Sequence, residues 1–253
     1  YAELKKRQKS GEFVTNTGTK KRRFRRVESK ITAKGARAIF YRQFLEYKKE
    51  KYFIFTKMTV LSAVVAFIFA YSLQKSVSDS SMAGFILLGV VAYVALIMSG
   101  YTGKWESELK NPYIFLIPDS PLKKMWYATL MEHVKAFADG CIICIPIGIF
   151  WHVPVIEIIY CILIYTVLQA DRLYTMVIVQ SLLGEVFGKT GQSLLRMFIQ
   201  MALLGVGAGV GVLAAVLISQ TLIFPIVLIY GLMITVAMGA IALLRFDTME
   251  QFV

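Results

Sequence analysis

Six long apolar runs limit what this chain can fold into. A helix needs about 20 mostly apolar residues to cross the hydrocarbon core of a bilayer, and fewer where its polar ends reach the interface. The runs are long enough for this, and 57% of all residues are hydrophobic, well above the level of a soluble domain. The sequence therefore predicts an all-α membrane protein with six transmembrane helices, at about Met58 to Leu73, Ser81 to Gly100, Ala136 to Trp151, Pro154 to Ala170, Leu194 to Ile218 and Leu222 to Leu244.

One further apolar stretch, Leu173 to Val186, is short for a crossing. It has about 14 residues and is bounded by Asp171, Arg172 and Glu185, and charged side chains are expensive inside the hydrocarbon. We interpret it as a continuation of the fourth helix into the membrane interface. If it crossed instead, the number of spans would be odd.

The Lys and Arg residues orient the predicted spans. Cytoplasmic loops of membrane proteins are enriched in these residues. With the N-terminus inside, the outer loops hold Lys75, whereas the inner loops and helix ends hold Lys104, Lys110, Lys123, Lys124, Lys135, Arg172, Lys189, Arg196 and Arg245. We therefore expect the N- and C-termini on the cytoplasmic side of the membrane.

The N-terminal region is strongly basic. Of the 28 Lys and Arg residues, 18 lie in residues 1–57, and the net charge of the whole chain is +12. A cluster such as KKRRFRRVESK, residues 20–30, can neutralise the phosphates of nucleic acid or of anionic lipid headgroups. Because a membrane helix follows, we favour contact with lipid or a solvated loop, and we interpret residues 1–35 as a basic cytoplasmic linker.

An amphipathic helix is predicted between this linker and the first span, within residues 36–57. Phe40, Phe44 and Tyr47 recur at helical spacing on one side, and charged residues occupy much of the rest. Such a helix lies in the plane of the membrane interface, with its aromatic side toward the lipid. The alternative is an ordinary helix packed on a soluble domain.

The segment between the second and third spans carries helix and turn signals outside the membrane. Thr102 is placed to cap a short helix in which Glu106 pairs with Lys110 at i,i+4. The sequence YIFLI then forms an apolar bridge, and Ser120 is placed to cap a second helix that begins at Pro121 and leads to the third span. Two short helices joined in this way predict a rigid knob for docking a soluble partner. The alternative is a re-entrant interfacial loop that only anchors the bundle.

These stretches resemble a known family. GKWESELKNPYIFLIPDSPLKKMWYATLMEHVK, residues 103–135, resembles the loop between the second and third helices of type-2 ABC exporter permeases. Together with ARAIFYRQFLEYKK, residues 36–49, it resembles more specifically the "Putative ABC exporter" permeases of Gram-positive bacteria. The resemblance covers roughly residues 36–245. It implies that residues 102–125 hold a coupling helix, which docks in a groove of a cytoplasmic ATPase, and that residues 36–57 are the elbow helix.

The resemblance also implies the role and the partners of the chain. It would be a permease subunit, or half of one, in a bacterial plasma membrane, with residues 58–246 as the six-helix domain and residues 247–253 as a cytoplasmic tail. A second permease half would complete the translocation path, and the linker 1–35 would join the two halves of a longer permease. The residues expected to couple this chain to the ATPase are Glu106, Leu109, Pro112, Tyr113, Leu116, Pro118 and Pro121.

The chemistry of ATP is not expected in this chain. The sequence contains no Gly-rich phosphate loop of the GxxxxGK[ST] type, so ATP and Mg²⁺ would be bound by the partner ATPase, and we predict no cofactor here. His133 and His152 fall on opposite sides of the predicted membrane, and no metal site is predicted. The resemblance implies export of peptides or bacteriocin-like molecules, with lipids or drugs as the alternative substrates. The alternatives are a membrane-embedded enzyme, which would need clustered His, Asp or Glu, and a non-transporting scaffold, which would need no ATPase.

Two polar or small-residue features lie inside the spans. Asp139, near the inner end of the third span, is four residues after Lys135, and we favour a simple ion pair over a place on the substrate path. In the fifth span two GxxxG patterns overlap, and such patterns let another helix approach closely. We predict a packing role, within this chain or across a dimer, for Gly205, Gly207, Gly209 and Gly211.

Overall fold

A computed structural model describes residues 33–49, 53, 55, 57–74, 80–100, 104–109, 113–183, 188–217 and 222–251. Every regular element in these ranges is helical, and none of them contains a strand. In chain order the helices are α1 (Arg37–Lys49), α2 (Lys57–Leu73), α3 (Ser80–Ser99), α4 (Lys104–Leu109), α5 (Tyr113–Leu116), α6 (Pro121–Phe150), α7 (Val155–Leu183), α8 (Gly188–Leu217) and α9 (Ile223–Gln251). The basic linker predicted for residues 1–35 lies almost entirely outside the described residues.

Five of these helices are long and apolar enough to cross a membrane, namely those at α3, α6, α7, α8 and α9. They account for five of the six predicted spans. The predicted first span is α2, which is apolar but has only 17 residues. At 1.5 Å per residue, α2 is about 26 Å long, slightly shorter than the hydrocarbon core.

The long helices extend beyond the predicted spans. The helix predicted to lead from Pro121 toward the third span is not separate, because α6 is continuous for 30 residues from Pro121 to Phe150. The stretch that begins at Leu173 belongs to α7, which runs unbroken from Val155 to Leu183, as the predicted continuation of the fourth helix requires. The final helix continues through Gln251, so the predicted tail from residue 247 is helical in its described part.

The turn after α6 has a well-defined geometry. His152 adopts a left-handed conformation, with φ of 54°. The N–H of His152 donates to the carbonyl of Ile149 at 3.2 Å, and the N–H of Val153 donates to the carbonyl of Gly148 at 2.9 Å. This is the pattern of a Schellman motif, which terminates a helix and satisfies its last carbonyls. The motif therefore explains why α6 ends at the sequence HVP, residues 152–154, between the third and fourth predicted spans.

The helix α7 is the centre of the bundle, and α8 and α9 form much of its outer surface. The apolar part of α7 is the most buried of the five long helices, whereas few residues in that of α9 are fully buried. Large apolar side chains cover this surface, and they include Val212, Val216, Met233, Val236 and Leu244. Water would not favour so much contiguous apolar surface, whereas hydrocarbon does. The fold is that of a helical membrane protein.

Candidate functional site

The short helices α4 and α5 pack into one end of the bundle. The indole Nε1 of Trp105 donates to the carbonyl of Leu173 in α7 at 3.3 Å. The rings of Trp105 and Phe115 lie 6.5 Å and 5.1 Å, respectively, from the ring of Phe246 in α9. Trp105 is fully buried, and so is Ile114 in α5. The segment is therefore held against the bundle by apolar burial on its inner side.

The sequence YIFLI was predicted to form an apolar bridge between two short helices. Its residues Tyr113 to Leu116 form the helical turn α5. Ile114 and Phe115 are buried, and Leu116 is exposed. Four residues in a helical turn place alternate sides of the segment toward the bundle and toward solvent, because side chains one residue apart point about 100° apart.

The carboxylate of Glu106 forms a buried ion pair with α8. Its Oε2 lies 3.4 Å from Nη1 of Arg196, and the two residues are 7% and 1% exposed. The Nε of Arg196 also donates to the carbonyl of Gln192 at 3.3 Å. The predicted partner of Glu106, Lys110, lies outside the described residues. No local pattern indicates a pair between two residues that lie 90 positions apart, so sequence analysis missed this contact.

A second carboxylate, Glu108, connects α4 to α1 and α5. It forms an ion pair with Arg42, and the hydroxyl of Tyr113 donates to its Oε2. The guanidinium carbon of Arg42 lies 4.5 Å from the centre of the Tyr113 ring, in a cation–π arrangement. Burial, together with the hydrogen bond to Glu108, raises the pKa of the Tyr113 phenol, so this hydroxyl remains a donor at physiological pH.

A third carboxylate, Glu132 of α6, receives two donors from this region. The backbone N–H of Lys104 donates to its Oε1 at 3.1 Å, and the hydroxyl of Tyr47 does so at 3.2 Å. The Nζ of Lys104 lies 3.7 Å from the centre of the Tyr47 ring. Tyr47 is 2% exposed, so the prediction that it lies on the lipid side of α1 is wrong. It packs between α1 and α6 instead.

The other two aromatic residues of the predicted lipid side, Phe40 and Phe44, are not fully buried. Phe40 and Phe44 are half-buried and stack on each other, with ring centroids 6.3 Å apart. The side that contacts the protein is formed by Ile39, Gln43 and Tyr47, which recur every four residues and are buried. The two faces of α1 are adjacent, and Tyr47 lies at their border.

Asp119 anchors the start of α1 to the turn before α6. Its Oδ2 accepts the N–H of Ala36 at 3.1 Å, its Oδ1 accepts the N–H of Ser120 at 3.0 Å, and Nζ of Lys123 lies 3.6 Å away. The bond from Ala36, followed by those from Ser120 and Lys123, lowers the pKa of this carboxyl below its usual value. Gly35 is needed here, because its φ is +63° and an added Cβ would lie 2.8 Å from Oδ2 of Asp119.

The structure describes Ser120 and two of the three prolines predicted to contribute to coupling, Pro118 and Pro121. Pro121 occupies the first turn of α6, as predicted, and Pro118 is exposed. Ser120 is at the N-cap position, but its side chain makes no capping hydrogen bond, contrary to the prediction. Its backbone N–H is taken by Asp119 instead. Pro112 lies outside the described residues.

The structure separates the predicted coupling residues into buried and accessible ones. Glu106 and Leu109 are 7% and 3% exposed, so they cannot be direct contacts of a partner in this conformation. Tyr113 is half-buried, and Leu116 is 72% exposed. Beyond the predicted set, Leu122 and Trp126 on the first turns of α6 are also exposed. We call Leu116, Leu122 and Trp126 the apolar tip.

The predicted pair between Lys135 and Asp139 is not formed as a close contact. Asp139 is 9% exposed, and its Oδ1 has no hydrogen-bond partner among the described residues. Its carboxyl group is hydrogen-bonded by Thr59 of α2, and the charges of Lys135 and Arg172 act on it from a longer distance. The helix spacing is compatible with a pair, but the two side chains do not come within ion-pair distance, and the charge of Lys135 acts on Asp139 from farther away.

The four glycines of α8 divide into two sides. An added Cβ would lie 3.0 Å from the Tyr230 ring at Gly207 and 3.3 Å from Val227 at Gly211, so these two glycines allow α9 to approach closely. At Gly205 and Gly209 an added Cβ would meet nothing within 4 Å. One GxxxG pattern therefore packs within the chain, and the other faces outward.

The part of the chain that the structure describes contains no group of three or more His, Cys, Asp or Glu side chains that could hold a metal ion. A comparison with protein families matches residues 1–250 to the family described as "Putative ABC exporter". Neither a search of curated proteins nor a search of solved structures found a significant match.

Proposed function

This chain belongs to the "Putative ABC exporter" family, and we propose that it is the transmembrane permease subunit, or half of one, of a bacterial ABC exporter. In this proposal the helices α2, α3, α6, α7, α8 and α9 are six crossings of the plasma membrane, with both ends of the unit in the cytoplasm. The helix α1 is the elbow helix at the interface. The helices α4 and α5 are the coupling element.

The contacts of α4 and α5 support this assignment of the coupling element. Trp105 contacts α7 and α9, Glu106 pairs with Arg196 of α8, and Glu108 pairs with Arg42 of α1. A force applied to α4 and α5 would thus act on four other helices at once. An anchor loop that only rests on the membrane would not need buried charges that connect it to several helices. This network is the observation that carries the proposal.

The apolar tip is the proposed contact with the ATPase. Leu116, Leu122 and Trp126 expose large apolar side chains, and the side chain of Lys123, which follows Leu122 in the chain, is also exposed. Interfaces of this kind concentrate binding energy in a few apolar and aromatic anchors surrounded by polar residues. We assign Glu106 and Leu109 to a different role, which is to hold the coupling element on the bundle, because both side chains are buried.

The work of transport then divides between two proteins. The partner ATPase binds ATP and Mg²⁺, and closure of the ATPase dimer moves the apolar tip. Through α4 and α5 this movement shifts the membrane helices between inward-open and outward-open states. A second permease half completes the path, and the outward side of α8 at Gly205 and Gly209 offers it a close approach. Peptides or bacteriocin-like molecules are the proposed substrates.

Co-purification with an ABC ATPase of the same cells tests the proposal. We expect the wild-type chain to retain an ATPase that carries a GxxxxGK[ST] loop, identified by mass spectrometry, and to change its rate of ATP hydrolysis. Leu116→Asp should weaken this association, and truncation of such an anchor costs about 1 to 4 kcal/mol of binding. The control is Thr248→Asp, which adds the same charge at an exposed position in the last turns of α9, outside the predicted spans and the apolar tip.

The result separates the exporter from its alternatives. A membrane-embedded enzyme or a scaffold would show no dependence of ATPase retention on Leu116. If the Leu116→Asp variant remains folded and retains the ATPase as well as the wild type does, the apolar tip is not the coupling contact.

A further inference from the structure

A cavity of about 320 Å³ lies between α3, α7, α8 and α9. Its walls are mostly aliphatic, and small residues make the room for it, among them Gly89 of α3 and Gly207, Ala208 and Gly211 of α8. Gly89 and Ala208 are exposed, so the cavity opens on the side of the bundle. Its volume is within the range of small-molecule sites, which begins at about 300 Å³. The opening faces the lipid-exposed surface rather than either end of the bundle, because its neighbour Val212 is one of the exposed apolar residues of α8.

The polar groups on the cavity wall are few. Among the described residues that line it, Asp171 and Tyr230 carry the polar side chains. The hydroxyl of Tyr230 donates to the carbonyl of Leu203 at 3.2 Å, so its hydrogen is already used. Asp171 therefore remains as the group that could recognise a ligand.

Asp171 is buried and incompletely paired. The residue is 1% exposed, and its Oδ1 has no hydrogen-bond partner among the described residues. The hydroxyl of Thr235 lies beside the carboxyl group, but it also donates to the carbonyl of Gly231 at 2.9 Å. The neighbouring cation, Arg172, points away, since its Nη1 donates to the carbonyl of Met98 at 3.1 Å.

A buried carboxylate without a cation is costly, and a cation that enters the same apolar space relieves this cost. We propose that this cavity binds a lipophilic amine, an apolar molecule whose one protonated nitrogen pairs with Asp171. The apolar walls take the hydrocarbon part, and the lateral opening lets the ligand enter from the bilayer. The proposal concerns binding alone and does not depend on whether the chain exports the ligand.

Asp139 gives a useful contrast within the same molecule. It is also a buried aspartate whose Oδ1 lacks a partner among the described residues. However, Lys135 and Arg172 act on it electrostatically, and it does not line the cavity. Asp139→Asn is therefore the matched control for Asp171→Asn, because both changes replace a carboxylate by an isosteric amide inside the bundle.

The test uses the full chain in lipid nanodiscs and isothermal titration calorimetry, with titrations of empty nanodiscs subtracted. The probes are 1-adamantylamine and 1-adamantanol, which share one apolar cage and differ in the charged nitrogen. We expect saturable binding of the amine to the wild type. The alcohol should bind at least about ten-fold more weakly, as the loss of one charge-assisted hydrogen bond implies.

The variants then assign the site. Asp171→Asn should lower the affinity for the amine by about ten-fold or more and leave that for the alcohol unchanged, and the retained alcohol binding shows that the variant is folded. Asp139→Asn should bind both probes as the wild type does. Gly89→Leu should weaken both probes, because it fills the cavity at a position where an added Cβ meets nothing within 4 Å. Ala237→Leu, at an exposed position of α9 that does not line the cavity, should weaken neither.

Three results would overturn the proposal. The first is that the wild type does not bind the amine, or binds it no better than the alcohol. Equal binding would mean that the cavity accepts apolar molecules without recognising their charge. The second is amine affinity in Asp171→Asn equal to that of the wild type. The third is unchanged binding in Gly89→Leu, which would place the ligand elsewhere even if the aspartate variant failed to fold.

Discussion

Arg196 of α8 and Glu106 of α4 form an ion pair inside the protein, with Nη1 and Oε2 3.4 Å apart. Both side chains are almost completely buried, and the residues are 90 positions apart in the chain. A buried pair adds little net stability compared with apolar residues of the same size, but each charge depends strongly on the other. We interpret this pair as the contact that sets the position of the coupling element against α8.

The first prediction follows from this pair. Arg196→Met removes the cation of this buried pair, and we expect the free energy of unfolding to fall by about 3 to 5 kcal/mol. The double variant Glu106→Leu with Arg196→Met should recover much of this loss, because apolar side chains then replace both members of the pair. The measurement is thermal or denaturant unfolding in detergent. Arg245→Met, at an exposed position of α9, is the control and should change little. Equal stability of the Arg196 and Arg245 variants would contradict the prediction.

The second prediction concerns the glycines of α8. At Gly207 an added methyl group meets the Tyr230 ring at 3.0 Å, and the hydroxyl of that ring is tied to the carbonyl of Leu203. We therefore expect Gly207→Ala to force α8 and α9 apart and to lower stability by about 1 to 3 kcal/mol, as overpacking does. Gly209→Ala has open space and should be neutral or slightly stabilising. The measurement is the thermal stability of the two variants in detergent. A loss of stability in Gly209→Ala alone would contradict the assignment of Gly207 to the side that faces α9 and of Gly209 to the outward side.

The third prediction is a dependence on pH at the start of α1. The hydrogen bonds from Ala36 and Ser120 lower the pKa of Asp119, so its charged form is favoured by the folded state. The anchor is thus fully present above the unfolded pKa of about 3.9 and is lost as the pH falls through the lower folded pKa. Spin labels at two exposed positions, Tyr41 and Leu122, should report a fixed distance at pH 7 and a wider distribution below about pH 4. This experiment requires replacement of the three native cysteines.

The matched variant for the pH experiment is Asp119→Asn. Its amide oxygen can accept the N–H of Ala36, but it carries no charge that titrates. The distribution in this variant should stay the same when the pH falls from 7 to below about 4, where the wild type changes. A transition of the same size in the wild type and in Asp119→Asn would mean that another group controls the position of α1.

The fourth prediction compares the two N-terminal segments. Phe40→Asp combined with Phe44→Asp places charges on the aromatic side of α1, next to the side that packs on α6, and we expect a loss of membrane assembly. Neutralising residues 20–26 removes only screened surface charge and should have a smaller effect. The amount of monodisperse protein extracted from membranes measures both. If neutralising residues 20–26 abolished membrane assembly and the double aspartate variant did not, the assignments of a basic linker and of an interfacial helix α1 would both be wrong.

The fifth prediction is the topology. If α2 crosses the membrane in spite of its 17 residues, the number of crossings is six and both ends of the unit are cytoplasmic. A cysteine at His152 should then react with an impermeant reagent from outside the cell, and a cysteine at Asp247 should react only after the membrane is opened. If the cysteine at position 247 were labelled from outside in intact cells, the number of crossings would be odd. The short helix α2 would then be the first candidate for a helix that does not cross.

The sequence could predict the helices because their signals are local. Apolar runs at helical length and the turn residues of HVP depend on neighbours in the chain, and the structure has helices at each run. The aromatic pattern predicts the helix α1 but not its orientation, because periodicity alone does not say which side of an amphipathic helix faces lipid and which faces protein. Tyr47 lies at the border of the two sides, and its hydrogen bond to Glu132 of α6 places it on the side that faces the protein.

The sequence by itself determined that this chain is a helical membrane protein and where its long helices lie, since transfer of apolar side chains from water to hydrocarbon depends on composition over about 20 residues. Only the tertiary structure decided which charges are buried and with whom they pair. Glu106 and Arg196, or Asp119 and Ala36, meet because separate helices pack together, and no local pattern carries that information. The same holds for the cavity at Asp171, which exists only where four helices leave space between them.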